Sequence, residues 1–371
     1  SYTGPSGSSS ISRSAGMFAN FNYSWDNRYL IDLTGRIDGS SNFASKQRSA
    51  PFWSAGVRWN IYNEKFMKTH GWFENLAVRA NIGTVGNQNF QLSQIMTLYN
   101  FLKMYDGVMG AEIMSIANPE LKWQTTLNRN IGLEFSLLQG LVNLDFNYYS
   151  NITKNNLTDI AILPSTGFST YKANMGKVRN QGYEFSLSIT PIKKNGWIVN
   201  AFVNGAHNKN KLLNISDALR DYNEVIKENQ TAHLNYAGYT QLERIFLFEE
   251  GQSLNSIFAV RSMGIDPGTG QEIFVTADGV QTFQWNAADQ VVVGNTEPTL
   301  KGYFGLNVDY KRWSFGANFQ YSFGADRYNK PLYEKIEGGN FAQNADRRAL
   351  TQRWTKPGDV AKYRGYGNTS Q

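Results

Sequence analysis

A chain of 371 residues with 36 Lys and Arg against 30 Asp and Glu carries a net charge of +6, and its basic residues are scattered instead of forming the stripe that nucleic-acid binding uses. Aromatic residues make up 14%, glycine stands at 34, and cysteine is absent, which excludes a disulfide scaffold and any cysteine-ligated metal. Mean hydropathy is -0.45, and no window supplies the roughly 18 apolar residues of a transmembrane helix, so any spanning structure here has to be a β-barrel.

The first residues, Ser1-Tyr2-Thr3-Gly4-Pro5, show neither a start methionine nor a basic-then-apolar leader, the pattern of a mature chain or a fragment. Period-two alternation then recurs in segments of the length that crosses a bilayer at a tilt, roughly 9–11 residues. In residues 29–38, Tyr29, Ile31, Leu33 and Ile37 share one face, and Asp32, Thr34, Arg36 and Asp38 the other. Val142, Leu144, Phe146 and Tyr148 oppose Asn143, Asp145 and Asn147; Tyr183, Phe185, Leu187 and Ile189 oppose Glu184, Ser186, Ser188 and Thr190. Near the end, Trp313, Phe315, Ala317, Phe319, Tyr321 and Phe323 oppose Ser314, Gly316, Asn318, Gln320 and Ser322.

On this pattern, strands are predicted near 15–25, 28–38, 51–60, 75–84, 121–136, 141–153, 181–190, 197–208, 253–263, 302–310 and 313–323. Tight connections at Asp26-Asn27, Leu138-Gln139-Gly140, Pro191 to Gly196 and Lys311-Arg312 alternate with long ones at 39–50, 85–120, 154–180 and 209–252, with 61–74 on the tight side. Short periplasmic turns and long extracellular loops have that asymmetry. Antiparallel alternation leaves 253–263 and 302–310 running the same way, so one more strand is expected between them, at Gln271 to Ala277 or Asp289 to Gly294.

A soluble sandwich also alternates, but three features favour a membrane wall. Tyr29, Trp59, Trp197, Tyr310 and Trp313 sit where strands meet turns, as interfacial girdles do. The polar faces are rich in Asn, Ser, Gly and Asp and poor in Lys, and the long connections exceed those of a compact sandwich. Arg129 is discordant, sharing a face with Leu127, Ile131, Leu133 and Phe135; it calls for a bulge or for a side chain that snorkels to the headgroups.

Nothing assembles a catalytic site, and no cofactor is expected. Gly264-Ile265-Asp266-Pro267-Gly268-Thr269-Gly270 lacks the Gly-Lys-Ser/Thr and helix of a phosphate loop and reads as a turn, as does Gly83-Thr84-Val85-Gly86. His70, His207 and His233 are too dispersed to ligate a metal, and Glu249-Glu250 and the Glu334/Glu337 pair read as solvated loop charge. Ser216 to Glu228 has Ala218, Leu219, Tyr222, Val225 and Ile226 at helical spacing with Ser216 placed to cap, a short loop helix that packs on neighbouring loops or meets a partner. Loop aromatics Tyr99, Tyr105, Tyr236 and Tyr239 are candidates for stacking on sugar rings or contacting peptides.

Several strings resemble the SusC/RagA family of TonB-dependent outer-membrane transporters: Arg28-Tyr29-Leu30 through Arg36-Ile37-Asp38-Gly39-Ser40-Ser41, Pro51-Phe52-Trp53-Ser54-Ala55-Gly56, and Val78-Arg79-Ala80-Asn81-Ile82-Gly83-Thr84-Val85-Gly86-Asn87. Asn118-Pro119-Glu120-Leu121-Lys122-Trp123, Asn174-Met175-Gly176 with Asn180-Gln181-Gly182-Tyr183-Glu184, Gly264-Ile265-Asp266-Pro267 with Thr269-Gly270, and Arg353-Trp354-Thr355-Lys356-Pro357-Gly358-Asp359 complete the set. Their order over nearly the whole chain makes the match specific.

The resemblance implies an all-β fold, an antiparallel transmembrane wall belonging to a barrel of about 22 strands around a plug. Residues 1–371 would be a partial β-barrel domain, without the plug and the closing strands. It further implies import of an oligosaccharide or a peptide across the outer membrane of a Gram-negative bacterium, with a SusD-like surface lipoprotein as partner and TonB as the source of force. Asp32, Arg36, Arg58, Arg79 and Asp145 would be polar lumen residues of that wall. The alternative from another class is a soluble or surface-exposed adhesin or carbohydrate-binding protein.

Overall fold

The computed structural model describes residues 13–41, 48–67, 72–87, 97–105, 108–115, 122–161, 170–174, 176–228, 247–332, 335–336 and 346–365. Alternating segments become strands β1 (Ser14–Trp25), β2 (Tyr29–Ser40), β3 (Ser49–Asn60) and β4 (Phe73–Asn87), followed by the hairpin of β5 (Leu98–Tyr105) and β6 (Val108–Ser115). Next come β7 (Gln124–Leu137), β8 (Val142–Lys154), the hairpin of β9 (Leu157–Ala161) and β10 (Thr170–Asn174), then β11 (Gly176–Lys194) and β12 (Trp197–Ile215). Helix α1 (Asp217–Glu228) leads to the short strands β13 (Ser256–Ala259), β14 (Arg261–Ile265), β15 (Glu272–Val275), β16 (Gln281–Thr282) and β17 (Val291–Asn295). Strands β18 (Leu300–Tyr310) and β19 (Trp313–Phe323) come last.

The chain divides into two compact units, residues 1–219 with 299–323 and residues 220–298 with 324–371. The first holds a 10-stranded sheet ordered β1-β2-β3-β4-β7-β8-β11-β12-β18-β19, antiparallel at every pairing. Its turns at one end are tight because their residues accept positive φ: Asp26 and Asn27 at 52° and 56°, and Asn195 and Gly196 at 55° and 76°. Twin left-handed residues match the twist of the flanking strands. At the other end β5–β6 and β9–β10 stand as extra hairpins inside the expected long loops.

Register carries one face intact across the sheet. Tyr23, Ile31, Val57, Ala80, Ile131, Tyr148 and Tyr183 all lie on it, as do Val203, Phe304 and Phe319. This face is apolar and open: Met17 is 78% exposed, Phe315 64% and Phe319 55%. Among the described residues of this unit no second sheet covers them, so within the unit the arrangement is not that of a sandwich. An uncovered apolar face of this extent is the mark of a surface met by lipid. Near the tight turns Tyr29 stacks on Trp59 with centroids 6.4 Å apart, and Trp197 on Tyr310 at 4.2 Å, so the expected girdle aromatics are cross-strand neighbours.

Three expectations about strands and their connections are corrected. Residues 253–263 are no wall strand: Ser256, Ile257 and Phe258 are buried in succession, which requires cover on both sides, and β13 pairs with β17 in a two-stranded sheet. Strand β12 pairs directly with β18, so the alternation of direction closes without the additional strand expected between 264 and 301; β15 and β17 fall in that interval but belong to small sheets. The connection expected at Pro191 to Gly196 shrinks to Asn195-Gly196, because β11 continues through Pro191 by a register shift between Ile189 and Ile192. A bulge is where a strand tolerates a residue with no N–H.

Helix α1 forms as expected, but Ser216 does not cap it with its side chain: its Oγ is buried without a hydrogen-bond partner, and its carbonyl accepts from the Leu219 N–H at 3.1 Å. In the second unit the strings around Gly264–Gly270 and Arg353–Asp359 pack on each other. The Trp354 indole N–H donates to the Pro267 carbonyl at 2.9 Å, and the Gly358 N–H to the same carbonyl at 2.8 Å. Arg353 is buried, its guanidinium donating to the carbonyls of Ala349, Ile336 and Arg364.

Candidate functional site

The face opposite the apolar one carries Asp32, Arg58, Arg79, Glu134 and Asp145, all placed there by the same alternation. Register puts Arg58 directly across from Arg79, and Glu134 directly across from Asp145, so like charges meet along each pair. Diagonal ion pairs relieve both clashes. The two Arg58 nitrogens meet the two Glu134 oxygens at 2.7 and 3.2 Å, a bidentate fork, and Arg79 Nη1 donates to Glu134 Oε1 at 2.6 Å. Arg79 Nη2 also reaches Asp145 at 3.4 Å, while Arg58 Nε donates to Asn60 Oδ1 at 2.8 Å. Glu134 thereby accepts from two guanidiniums and is the hub of the network.

The long reach of Arg79 across β7 depends on Gly132. A Cβ at that position would stand 2.5 Å from Arg79 Nε and 2.9 Å from its Cγ, so any side chain there displaces the guanidinium. Asp32 and Arg36 lie outside this network. Arg36 pairs with Asp38 at 2.5 Å and stands 5.8 Å over the Phe52 ring, which itself packs against Trp123 with centroids 5.8 Å apart. Asp32 lines two adjoining open hollows of the polar face, of about 410 and 400 Å³. The first runs from Asp32 past Ser54 and Asn81 to Asn128 and Asn130; the second reaches from Asn22 and Leu30 to Arg58 and Arg79.

Amides dominate the rest of this face. Asn130 donates to Asn81 Oδ1 at 2.9 Å, Asn210 to Asn180 Oδ1 at 2.8 Å, and Asn200 to the Ser188 hydroxyl at 2.8 Å. Such groups are satisfied by each other and by water alike. Among the described residues the face is amide-rich with one concentrated charge network, and it offers hydrogen-bonding positions but no nucleophile paired with a base. No metal-binding group of acids and histidines occurs among the described residues.

The sequence reading named Arg58, Arg79 and Asp145, and the structure brings these three together with Glu134, which it missed. The signal was present: Glu134 shares the polar parity of Asn130 and Gly132 on β7 and sits two residues off the Arg79 row. Of the loop aromatics, Tyr99 is 53% exposed on β5 with its ring 6.4 Å from Phe101. Tyr105 ends β5, and Tyr236 and Tyr239 lie outside the described residues, as do His70, His233, Glu334 and Glu337. His207 hydrogen-bonds the Thr299 carbonyl through Nδ1 at 2.5 Å, and Glu250 pairs with Arg220 at 3.3 Å, both structural uses.

At the short-turn end a second polar cluster sits under the girdle. Buried Glu64 accepts from the Tyr29 hydroxyl at 2.7 Å, the Trp59 indole at 3.0 Å and Arg28 at 3.2 Å. These donors, Tyr29 foremost, hold the Glu64 carboxyl below its ordinary range. Arg28 also pairs with Asp26 at 2.7 Å, so one turn and two interfacial rings are tied to one carboxylate.

Comparison with known proteins agrees with this architecture. The family model described as TonB dependent receptor-like, beta-barrel, matches residues 1–242. TonB-dependent receptor P39 of Formosa agariphila is 28% identical over 380 residues, covering 94% of this chain and 36% of that protein. TonB-dependent receptor SusC of Bacteroides thetaiotaomicron is 31% identical over 202 residues, covering 52% of this chain and 20% of that protein. Among solved structures, the RagAB peptide transporter superposes with a TM-score of 0.80 at 26% identity, over 97% of this chain and 38% of that one. The chain thus spans about a third of the length of the TonB-dependent receptors P39 and P3 that it matches. By its family match and its wall of antiparallel strands, the chain belongs to the TonB dependent receptor-like β-barrel family, and within it the chain is similar to SusC and to RagAB.

Proposed function

We propose that this chain is part of the wall of an outer-membrane importer that takes up oligosaccharides or peptides, works with a SusD-like surface lipoprotein and is driven through TonB. The observation that supports the reading most is the pair of opposed faces held in register across ten strands, one apolar and uncovered, the other amide-lined and hollowed. A soluble adhesin would cover the first face, whereas a transport wall needs both. In this reading Asp32, Arg36, Arg58, Arg79 and Asp145 face a water-filled lumen, and Tyr99, Tyr105, Tyr236 and Tyr239 are candidates for contact with the arriving ligand. The Arg58–Glu134–Arg79 network then braces the lumen side of the wall and leaves the hollow beside Asp32 as the place where a polar solute meets it.

Deleting the parent gene and growing the strain on single peptide or glycan sources tests the reading. Loss of growth on one source, restored by the wild-type gene, together with co-purification of a surface lipoprotein, is the expected result. Unchanged growth on every source, or recovery of the parent protein from cells without detergent, contradicts it.

A further inference from the structure

Away from the short-turn rim, the charged residues on the apolar face of the 10-stranded sheet are Arg129, Lys154, Lys177, Arg179, Lys209 and Lys211. All are basic, and among the described residues no carboxylate shares that part of the face. They are also neighbours. Lys177 stands directly across from Lys154, Arg179 from Lys211, and Gln181 from Lys209. Arg129 lies between Leu127, opposite Ile152, and Ile131, opposite Tyr148, with no register shift there. Like charges set directly opposite destabilise a strand pair, yet none of the six makes an ion pair or side-chain hydrogen bond among the described residues. Arg179 Nε is buried without any partner.

The position of the patch is as informative as its charge. One row nearer the short turns, Tyr148, Tyr183 and His207 lie side by side, with Tyr183 5.2 Å from His207. Below them the face is aliphatic and aromatic through Leu133, Phe146 and Phe185. On β12 the steps from Trp197 to His207 cover about 33 Å of strand, or about 25 Å along the membrane normal at a tilt of about 40°, the height of the apolar band of outer-membrane barrels. The basic rows therefore begin where hydrocarbon ends, at headgroup level.

We propose that this patch is a docking site for the phosphate-bearing headgroup of an anionic membrane lipid at the long-loop rim of the wall. The inference rests on the bilayer-facing reading of the apolar face. An occupant has to satisfy a cluster of cations that meets no carboxylate among the described residues and, one row lower, a greasy aromatic row in the same vertical strip. A lipid does both, its phosphate on Arg179 and the lysines and its acyl chains against Tyr148 and Phe146; a guanidinium suits phosphate as a planar fork and lysines as point charges. Arg129 then needs no bulge, since it reaches the same headgroup layer.

The test uses the parent protein purified in zwitterionic detergent and titrated with diphosphoryl lipid A, with phosphatidylcholine and inorganic phosphate as separate probes, bound lipid being read by native mass spectrometry. Wild-type protein is expected to retain the phosphorylated lipid and not phosphatidylcholine. The combined change Lys177→Gln, Arg179→Gln, Lys209→Gln and Lys211→Gln should weaken retention by about tenfold or more, while Lys209→Arg with Lys211→Arg keeps it. Should the combined variant lose its heat-modifiable mobility, the exposed single changes Lys177→Gln and Lys209→Gln decide, each expected to weaken retention by about threefold. Equal retention by variant and wild type overturns the proposal, as does displacement of the lipid by an equal concentration of inorganic phosphate, which marks a free-anion site. A wild-type protein that needs no detergent and shows no heat-modifiable mobility overturns the wall reading and this inference together, whereas a detergent-dependent protein with unchanged retention overturns the inference alone.

Discussion

Single residues decide how the polar face holds its charge. Glu134 neutralises two arginines that the register forces to face each other, whereas Asp145 meets Arg79 only at 3.4 Å and is half exposed. Glu134→Ala leaves Arg58 and Arg79 in mutual repulsion and should cost about 1–2 kcal/mol, while Asp145→Ala should cost under about 0.5 kcal/mol. Thermal loss of heat-modifiable mobility in detergent, compared for the two variants, checks the order; equal shifts would remove Glu134 from the centre of the network. At the opposite rim Glu64 supplies a pH-dependent contribution. Its pKa in the folded protein lies below the ordinary 4.5, so its stabilisation is complete above that value and is lost as pH falls through the folded pKa. Wild-type protein should therefore weaken on acidification below about pH 4.5, and Glu64→Gln should be less stable at neutral pH with a flatter acid limb, read by tryptophan emission during unfolding.

Elements show which parts of the fold were legible from the sequence and which were not. Wall strands β2, β8 and β19 came out within a few residues of their expected bounds, because apolar and polar residues alternate along them without a break. The segment 253–263 misled because the period-two pattern placed a wall strand there, while successive burial of Ser256, Ile257 and Phe258 depends on cover that no local pattern records. Glu134 stayed hidden because its significance arises from register with β4 and β8, two separate stretches of chain. The strings around Gly264 and Arg353 were recognisable, but not that they meet. Gly270 sits at φ 71° with Trp354 ring atoms 2.4 Å from where a Cβ would stand, so two constraints coincide there. Gly270→Ala should displace the Trp354 indole and destabilise the second unit by about 1–3 kcal/mol, seen as a red-shifted Trp emission and faster proteolysis within residues 324–365. Unchanged emission would show that the two strings are not coupled through this contact.

The whole wall consists of two surfaces related by a period of two, and its account reduces to which solvent each one meets. Backbone groups inside the sheet are paired, and β1 and β19 are its edge strands. The central claim is that odd positions of β19 face acyl chains and even positions face water. The chain contains no cysteine, so single cysteines introduced along 313–323 carry a nitroxide without background from it. In the parent protein reconstituted into bilayers, collision with oxygen should peak at 313, 315, 317, 319, 321 and 323, and collision with a water-soluble nickel complex at 314, 316, 318, 320 and 322. Equal nickel access at both sets of positions, or oxygen access without a two-residue period, would contradict it.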